Sequence, residues 1–419
     1  MGFLEVMRER GLVAQITHEE ELAEHLASGP RTAYCGFDPS ADSLHVGSLL
    51  PIMGLRRWQA AGHRVVALVG GGTGLIGDPS GKTEMRQMVD EGGLQKNLDG
   101  IRAQLERFLD LKDPKRGVMV DNADWLKDLK YLPFLRDIGR HFSVNRMLAA
   151  ECFKQRLEKG LSFLEFNYML LQSYDFLHLY KAQSCTVQLG GDDQWSNMLS
   201  GVDLVRRLTG GKAFCVTMPL LTTTDGRKMG KTEKGAVWLD PVKTSPFEYY
   251  QYWRNVEDAM VEPCLRYFTD MGMTETRQLA ALQGAAINDA KKRLAWECTR
   301  IAHGEAAANE AQESAGRLFG GPGAGGAGSA GAGNEPEHFL DRAAFEGKPD
   351  IGIVDMLASS GVVETKSEAR RLIQQGGLTV DGAKVADSQA RIAARELEKD
   401  GGCLVRKGKK HYHRIRLRD

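Results

Sequence analysis

Two short segments about 180 residues apart contain the residue types needed to hold a polyphosphate. Segment 39–48 places the imidazole of His45 at the start of a predicted helix, where main-chain N–H groups and the helix dipole favour phosphate. Segment 226–232 places Lys228 and Lys231 three residues apart in a glycine-flanked loop. Two such ammonium groups are suited to grip a polyphosphate while charge develops on it.

Either segment alone has an ordinary explanation, because single histidines and loop lysines are usually structural or solvent-exposed. Their occurrence together favours a functional site. The pair resembles the H-x-G-H and K-M-S-K-S elements of class I aminoacyl-tRNA synthetases. This chain departs from the general pattern at Ser48, which replaces the second histidine, and at Gly230 and Thr232, which replace serines.

A glycine-rich stretch at 72–77 follows the apolar run 64–69 and nominally fits a dinucleotide-binding fingerprint. A dehydrogenase is therefore an alternative. Such a site also needs a strand that ends in an acid about 20 residues later, and the segment before Asp90 and Glu91 is not a convincing strand. Segment 77–83 has three residues between its glycines and so misses a P-loop, which has four. We interpret the stretch as a loop in which backbone and substrate approach closely.

Three polar residues share one face of a predicted helix. Tyr168, Gln172 and Asp175 stand at positions i, i+4 and i+7 within an otherwise apolar stretch. Chance placement is the alternative. Burying Gln and Asp without partners would cost several kcal/mol, roughly 2–7 per group, so a bound polar ligand is an economical partner.

Alternation of strands and helices predicts the fold class. The runs 64–69, 184–189 and 214–221 are typical of buried strands, and helical patterns cover 46–61, 98–110 and 161–182. This order indicates an α/β domain with a doubly wound, parallel, Rossmann-like sheet. Ligands in such sheets bind beyond the carboxyl ends of the strands, where Gly190, Gly191, Gln194 and Trp195 fall.

Composition changes divide the rest of the chain. We predict a catalytic domain over 1–222, a helical domain with the lysine loop over 223–319, a Gly/Ala-rich linker over 320–335 and a small α+β module over 336–419. The linker spans roughly 20 Å if it behaves as a flexible coil. In the module, Ser367 is a predicted helix cap and the Asp381-Gly382 pair predicts a hairpin turn.

The module ends in a strongly basic tail, in which Arg414, Arg416 and Arg418 alternate with Ile415 and Leu417 along a predicted strand. Basic residues can serve RNA or DNA binding, or can protect a sheet edge from pairing. Segment 365–382 resembles the RNA-binding module of a ribosomal small-subunit protein, which favours RNA.

Bulk composition limits the functional classes. The chain has 419 residues, 55 basic and 55 acidic, so any nucleic-acid site must be local. Its seven cysteines are scattered and never form C-x-x-C, which favours a reducing compartment and argues against a zinc site. No apolar run reaches the length of a membrane span and the N-terminus is charged, so we expect a cytoplasmic protein.

The complete set of motifs is more specific than any one of them. It comprises segments 33–39, 77–82, Tyr168-x-x-x-Gln172-x-x-Asp175, 190–195 and 228–232. The set resembles the bacterial tyrosyl-tRNA synthetase family over essentially the whole chain, including the C-terminal module.

The resemblance implies a role for each matched residue. The tyrosine substrate would be held by Tyr34, Asp78, Tyr168, Gln172 and Asp175, of which Tyr34 and Asp175 read the phenol hydroxyl. The nucleotide or adenylate would be held by Cys35, Gly36, Asp38, Ser40, Gly47, Ser48, Gly191, Asp193, Gln194 and Lys231. The transition state would be stabilised by His45, Lys82, Arg86, Lys228, Lys231 and Thr232. RNA would be bound by Arg370, Arg371, Lys384, Arg406, Lys407, Lys409 and Lys410. Asp192, a second acid beside Asp193, would weaken ATP affinity slightly.

The resemblance also implies partners: L-tyrosine, ATP with Mg²⁺ as a substrate, tRNA(Tyr) and a second copy of the chain, with no permanently bound cofactor and no metal site. The predicted dimer interface is 125–160, where Trp125, Leu132, Phe134 and Phe142 could equally be core. Two further alternatives remain: an RNA-binding protein that kept the fold but lost catalysis, and a synthetase for tryptophan.

Overall fold

The computed structural model describes most of the chain in two compact units. The units are Met1–Lys243 with Val256–Glu297, and Thr244–Asn255 with Cys298–Asp419. The described residues are 2–78, 80, 91–151, 153, 154, 157, 160–222, 229–232, 235–319, 336–345, 347–398, 402–408 and 411–418. The domain boundaries predicted from composition stay a prediction.

A mostly parallel β-sheet forms the centre of the first unit. Its strands among the described residues are β1 (Gln15–Ile16), β2 (Thr32–Phe37), β3 (Arg64–Val69), β4 (Gly117–Asp121), β5 (Cys185–Gly191) and β6 (Phe214–Met218). Their order is β1-β6-β5-β2-β3-β4, and every pair except β1–β6 is parallel. Strand β3 forms because its Val- and Leu-rich run is buried on both faces, as parallel strands require. The predicted α/β class is confirmed.

Helices cover the sheet. They are α1 (Phe3–Glu9), α2 (Glu19–Ala27), α3 (Leu49–Ala60), α4 (Glu91–Phe108), α5 (Ala123–Leu126), α6 (Tyr131–Asp137), α7 (Val144–Leu148), α8 (Phe163–Gln183) and α9 (Trp195–Thr209). A 3-10 turn over Val46–Ser48 precedes α3. Helix α8 begins with a capping box. The Ser162 hydroxyl accepts from the Glu165 main-chain N–H, and the Glu165 carboxylate accepts from the Ser162 main-chain N–H.

Helices continue after the lysine-containing segment. Two short strands, β7 (Lys231–Thr232) and β8 (Gly235–Ala236), pair antiparallel. They are followed by α10 (Pro246–Arg254), α11 (Asp258–Phe268), α12 (Met273–Ala280), α13 (Ile287–His303) and α14 (Glu305–Phe319). No helix within the described residues is long and apolar enough to cross a membrane.

The C-terminal module has its own apolar core, in which Leu378, Cys403 and Ile415 are fully buried. Its strands are β9 (Glu337–Asp341), β10 (Asp350–Gly352), β11 (Leu378–Val380), β12 (Ala383–Lys384), β13 (Arg391–Ala393), β14 (Cys403–Lys407) and β15 (His411–Arg418). Its helices are α15 (Ile353–Ser359), α16 (Lys366–Gln374) and α17 (Ala394–Leu397). One sheet has the order β12-β11-β14-β15-β9, and β10 pairs with β13.

Two details of this module differ from the sequence prediction. Helix α16 is capped by the Thr365 hydroxyl, which accepts from the Glu368 N–H, and not by Ser367. The alternating tail forms β15, but Arg414 is buried at 2% exposure. Arg416 pairs with Glu337 and Arg418 with Asp341 on the neighbouring strand β9. The alternation therefore serves packing and strand pairing within the module.

The predicted hairpin is confirmed. Asp381 and Gly382 have φ values of 46° and 82°, the left-handed conformation that this type of tight turn requires. The turn joins β11 to β12 and leaves Lys384 at the surface.

Candidate active site

A cleft of about 370 Å³ opens at the carboxyl ends of the central strands. Parallel strands β2, β3 and β5 end together at this edge, which brings Asp38, Gly70 and Gly191 into one lining. The fold thus gathers residues that are up to 195 positions apart in the sequence, from Tyr34 to Met229.

One part of the cleft is shaped for a hydroxyl group. Tyr34 is 1% exposed, and its hydroxyl has no hydrogen-bond partner among the described residues. Asp175 also lines the cleft and is buried; it accepts from Asn122 Nδ2 at 3.0 Å and Trp125 Nε1 at 2.8 Å. A buried donor without an acceptor costs free energy, so the site is complete only when a ligand supplies polar atoms here.

Burial raises the pKa of Asp175 to about 7. The hydrogen bonds from Asn122 and Trp125 oppose this shift, and the charges of Asp38 and Asp121 add to it. Burial and the nearby Asp175 also raise the pKa of Tyr34 well above its ordinary value, which keeps the phenol protonated as a donor.

A second group of acceptors lies in the same cleft. Asp78 accepts from the Ser80 N–H at 2.9 Å and from Gln194 Nε2 at 2.7 Å. Gln172 contributes a buried side-chain oxygen that has no hydrogen-bond donor in the described structure. The hydroxyl of Tyr168 donates to Asp38 at 3.0 Å.

This group is suited to a cation. Burial raises the pKa of Asp78 to about 6, and the charge of Asp38 contributes in the same direction. A bound ammonium group would reverse the shift, because an opposite charge favours the ionised carboxyl group. The empty acceptor of Gln172 adds a place for one of its N–H donors.

The predicted helix-start segment forms a tight turn at the cleft. His45 Nδ1 accepts from the Gly47 N–H at 3.0 Å, which makes His45 the N-cap of the 3-10 turn. A side chain at Gly47 would begin 2.7 Å from the imidazole, so only glycine allows the ring to fold over this N–H. The neutral imidazole therefore carries its proton on Nε2.

The segment after the second lysine is attached to this turn. The Val46 N–H donates to Val237 at 2.9 Å, and the Leu239 N–H donates to Leu44 at 2.8 Å. Before it, the Met229 N–H donates to Leu221, and Met229 lines the cleft. The two motifs, distant in sequence, are thus neighbours in the first unit.

The sequence predicts that substrate approaches the backbone of the glycine stretch after β3. In the structure, the groups closest to these glycines are protein side chains. A side chain at Gly70 would begin 2.6 Å from both Asp38 Oδ1 and Thr73 Oγ1. Asn122 Oδ1 accepts from the N–H groups of Gly72 and Thr73 at 2.8 and 3.3 Å. The glycines allow side chains from β2 and β4–α5 to hold this loop.

Many of the predicted residues line the cleft. These are Tyr34, Cys35, Gly36, Asp38, His45, Gly47, Asp78, Tyr168, Gln172, Asp175, Gly191, Asp193 and Gln194. Ser40 and Ser48 are not among its lining residues. Lys82, Arg86 and Lys228 lie outside the described residues, as do Lys409 and Lys410 of the module. For Lys231 and Thr232 only the main chain, in β7, is described.

Sequence reasoning missed Asn122, which joins four groups through its amide: the N–H groups of Gly72 and Thr73, the Thr73 hydroxyl and Asp175. It also missed the bond from Trp125 to Asp175 and assigned Trp125 only to the dimer region. The position of Asn122, directly after strand β4, was the available signal.

Within the described residues, no cluster of three or more His, Cys, Asp or Glu side chains could hold a metal ion. The described cysteines, at positions 35, 185, 215, 264, 298 and 403, are buried and form no disulfide bond with one another. Burial raises the pKa of Cys35 to about 12, so this thiol in the cleft stays protonated and unreactive.

Comparison with known proteins gives a consistent result. Residues 27–320 match the family of class I tRNA synthetases (W and Y), and residues 340–415 match the C-terminal domain of SYY-like tyrosine–tRNA ligases. A tyrosine–tRNA ligase of Clostridium beijerinckii is 52% identical over 417 residues, which cover 99% of each chain. The enzyme of Clostridium tetani is 53% identical over 98% of each chain.

The chain belongs to the tyrosine–tRNA ligase family. It is therefore a member of the class I aminoacyl-tRNA synthetases. A crystal structure of a C-terminally truncated mitochondrial tyrosyl-tRNA synthetase from Aspergillus nidulans, 30% identical, superposes with a TM-score of 0.69 and covers 76% of this chain and 94% of that one. Membership in the family confirms the resemblance noted in the sequence and removes the dehydrogenase alternative.

Proposed function

We propose that this cleft joins L-tyrosine to ATP and then passes the tyrosyl group to tRNA(Tyr). In the first step a carboxylate oxygen of tyrosine attacks the α-phosphorus of ATP, the bond to the β-phosphate breaks, and pyrophosphate leaves. In the second step the terminal ribose hydroxyl of the tRNA attacks the acyl carbon, and AMP leaves. ATP enters as its magnesium complex, a substrate of the reaction.

The observation that carries this proposal is the unsatisfied hydroxyl of Tyr34 in a cleft shared with Asp175. A phenol hydroxyl can accept from Tyr34 and donate to Asp175, so both buried groups are satisfied at once. Phenylalanine would leave the Tyr34 hydroxyl without an acceptor and would give Asp175 no further donor, and a hydroxyl-reading site rejects an analogue lacking that group for this reason.

Other residues have separate roles in the proposed activation of tyrosine. Asp78, Tyr168 and Gln172 hold the substrate ammonium group. Gly36, Asp38, Gly191, Asp193 and Gln194 hold the adenylate. His45, together with Lys82, Arg86, Lys228, Lys231 and Thr232, stabilises the charge that develops on the departing pyrophosphate. Such catalysis depends on positioning and electrostatics.

The experiment is amino-acid-dependent exchange of pyrophosphate into ATP, with tyrosine, phenylalanine and tryptophan compared. We expect exchange with tyrosine alone. The Tyr34→Phe variant should lose roughly tenfold or more of its preference for tyrosine over phenylalanine, because one hydroxyl contact is removed. Tyr267→Phe, a half-buried tyrosine on α11, is the matched control and should keep the preference.

Each competing function has its own outcome in this assay. Exchange driven by tryptophan would replace tyrosine as the substrate. No exchange with any amino acid, in folded protein that still binds RNA, would support an RNA-binding protein without catalysis.

We further propose that the C-terminal module binds the tRNA. Arg370, Arg371 and Lys384 are exposed on α16 and β12. Lys407, on β14, forms an ion pair with Glu368. Exposed basic side chains such as those of Arg370, Arg371 and Lys384 can bind RNA phosphates. Since its tRNA substrate is found there, the enzyme would act in the cytoplasm.

A homodimer is also proposed. Several large apolar side chains on α6–α8 are exposed, in a surface we call the 131–164 apolar face: Tyr131 62%, Leu132 74%, Leu135 44%, Val144 57% and Phe163 70%. Of the residues named from the sequence, Trp125, Phe134 and Phe142 pack against the core and Leu132 belongs to this face. An exposed apolar surface of this kind is typical of a protein interface.

A further inference from the structure

A second cavity, of about 520 Å³, lies at the opposite end of helix α3 from the active-site turn. Helix α3 begins beside His45 and ends at Ala60, about 18 Å further on for twelve residues at 1.5 Å each. Its last turn, the end of α1 and residues after α4 and α11 form the lining. The proposed activation of tyrosine uses none of these residues.

The lining has an excess of positive charge. Among the described lining residues, the arginines are Arg10, Arg56, Arg57 and Arg116, and the acids are Asp110 and Asp270. Arg116 pairs with Asp110 at 2.8 Å. Arg56 lies 2.7 Å and Arg57 3.9 Å from the carboxylate of Asp270. Within the lining, four guanidinium groups thus face two carboxylates, which leaves an excess of positive charge there, while Glu9 outside the lining acts on Arg10.

Three of these arginines donate to backbone oxygens, and Arg56 does so from Nη1 to Phe108 at 2.9 Å. Arg10 donates to the carbonyl oxygens of Arg266 and Thr269 at 2.9 and 3.1 Å. Arg57 donates to Thr269 at 3.1 Å. Carbonyls at the end of helix α11 accept the bonds from Arg10 and Arg57, and they explain why these two arginines are buried at 7% and 8% exposure. They do not supply a negative countercharge.

Donors also remain unused in the lining. The Nε–H groups of Arg56 and Arg57 are buried and have no acceptor within the described structure. A buried N–H without an acceptor is uncommon, because it loses its bond to water and gains none in return. An oxyanion would supply acceptor oxygens for these N–H groups. Its negative charge would also balance the excess positive charge of the lining.

We propose that this cavity binds a phosphate-class oxyanion, held by Arg56 and Arg57 and flanked by Arg116. Guanidinium groups bind such anions through paired N–H donors, in a fixed geometry that ammonium groups do not provide. The site goes beyond tyrosine activation and is separate from the polyphosphate site at the other end of α3.

The ionisation of the cluster agrees with this assignment. Burial, with the nearby charge of Arg10 acting in the same direction, lowers the pKa of Arg57 to about 9. Burial likewise lowers the pKa of Arg10. A bound anion would oppose both shifts, because an opposite charge favours the protonated guanidinium group.

The test is calorimetric titration of the full chain with inorganic phosphate. The active site, including its polyphosphate part, is first saturated with tyrosine and an ATP analogue whose α,β-phosphate bridge cannot be cleaved, and chloride at the same ionic strength serves as the blank. We expect one saturable phosphate site per chain. The double variant Arg56→Gln/Arg116→Gln should lower the phosphate affinity by about tenfold or more, because two charged donors are removed.

Arg277→Gln is the matched control, since Arg277 is an arginine in a single ion pair outside the cavity. It should retain wild-type phosphate affinity. Thermal unfolding and pyrophosphate exchange of each variant show that the chain is folded. Phosphate affinity unchanged in the double variant, or no heat beyond that of chloride in the wild type, overturns the proposal. Neither result bears on tyrosine activation.

Discussion

Asp78 and Asp175 are buried carboxyl groups whose pKa values are raised, to about 6 and about 7. Because these values lie above that of an unfolded carboxyl group, near 3.8, the protonated forms favour the folded state. That stabilisation is complete below about pH 4 and is lost as the pH rises through 6 and 7. At neutral pH the empty cleft therefore holds carboxylates that lack a countercharge.

Tyrosine should relieve this cost, so its binding should depend on pH. The ammonium group needs ionised Asp78, and we expect tyrosine affinity to fall as the pH is lowered from 8 to 5. Fluorescence titration of the folded protein measures this. In Asp78→Asn the affinity should be weak throughout, and the inflection near pH 6 should disappear. A flat wild-type profile over this range would contradict the assigned role of Asp78.

Sequence patterns predict the residues that line the cleft well when those residues lie on a single helix or strand. Tyr168, Gln172 and Asp175 were found because helical spacing puts them on one face of α8, and all three line the cleft. Asn122 was not found, because its importance comes from bonds to a loop about 50 residues earlier and to α8 about 50 residues later. Such long-range partners are set by the strand order and leave no local periodicity.

At the scale of elements, one acidic residue connects three segments beside the cleft. Asp192 Oδ1 accepts from Gln15 Nε2 at 2.8 Å and from Thr217 Oγ1 at 2.7 Å. Strand β1 also pairs with β6 through Gln15 and Thr217. Asp192 therefore fixes the 3-10 turn that carries Asp193 and Gln194. The sequence suggested only that this acid weakens ATP affinity, which no observation tests.

We expect Asp192→Ala to raise the KM for ATP by about tenfold, because the turn loses both of its anchors, and to leave tyrosine affinity nearly unchanged. Asp192→Asn keeps the accepting oxygen and should restore most of the activity. Steady-state pyrophosphate exchange separates the two substrates. If Asp192→Ala binds ATP more tightly, electrostatic repulsion is the dominant effect and the anchoring role is wrong.

At the scale of elements, strands and long helices were the more predictable part of the fold. The run 64–69 forms β3 at the same boundaries, because a short, continuous apolar run that is followed by glycines has few alternatives. Helix α4 begins at Glu91, earlier than the predicted 98, since its first turns contain glycines that weaken the helical signal. The cap of α16 at Thr365 was missed because Thr365 and Ser367, two residues apart, are both plausible caps.

At the scale of the whole molecule, the C-terminal module should supply salt-dependent RNA affinity. Arg370→Ala/Arg371→Ala should weaken tRNA binding and reduce the slope of log affinity against log salt by roughly one to two, since two phosphate contacts are lost. Pyrophosphate exchange should be unaffected. Arg395→Ala, an exposed arginine on α17, is the control. Filter binding across a salt series measures the slope, and an unchanged slope would place the RNA contacts elsewhere.

The oligomeric state is tested on the 131–164 apolar face. Leu132→Asp with Phe163→Asp should convert a dimer into a monomer, because two exposed apolar side chains would place charges in a dry interface. Val242→Asp is the matched control, since Val242 is 92% exposed and lies outside this face. Light scattering coupled to size-exclusion chromatography reports the mass. A monomeric wild type would exclude this interface.

Main-chain hydrogen bonds join Val46 to Val237 and Leu44 to Leu239, and they keep the lysine-containing segment close to the His45 turn. The chain around Lys231 is held by Met229 on one side and Val237 on the other, so it cannot diffuse far from the turn at His45. A short tether of this kind creates a high effective concentration, on the millimolar scale for short linkers. In the proposed reaction, part of the entropy needed to bring the Lys231 segment to the pyrophosphate would thus be lost when the protein folds, before ATP arrives.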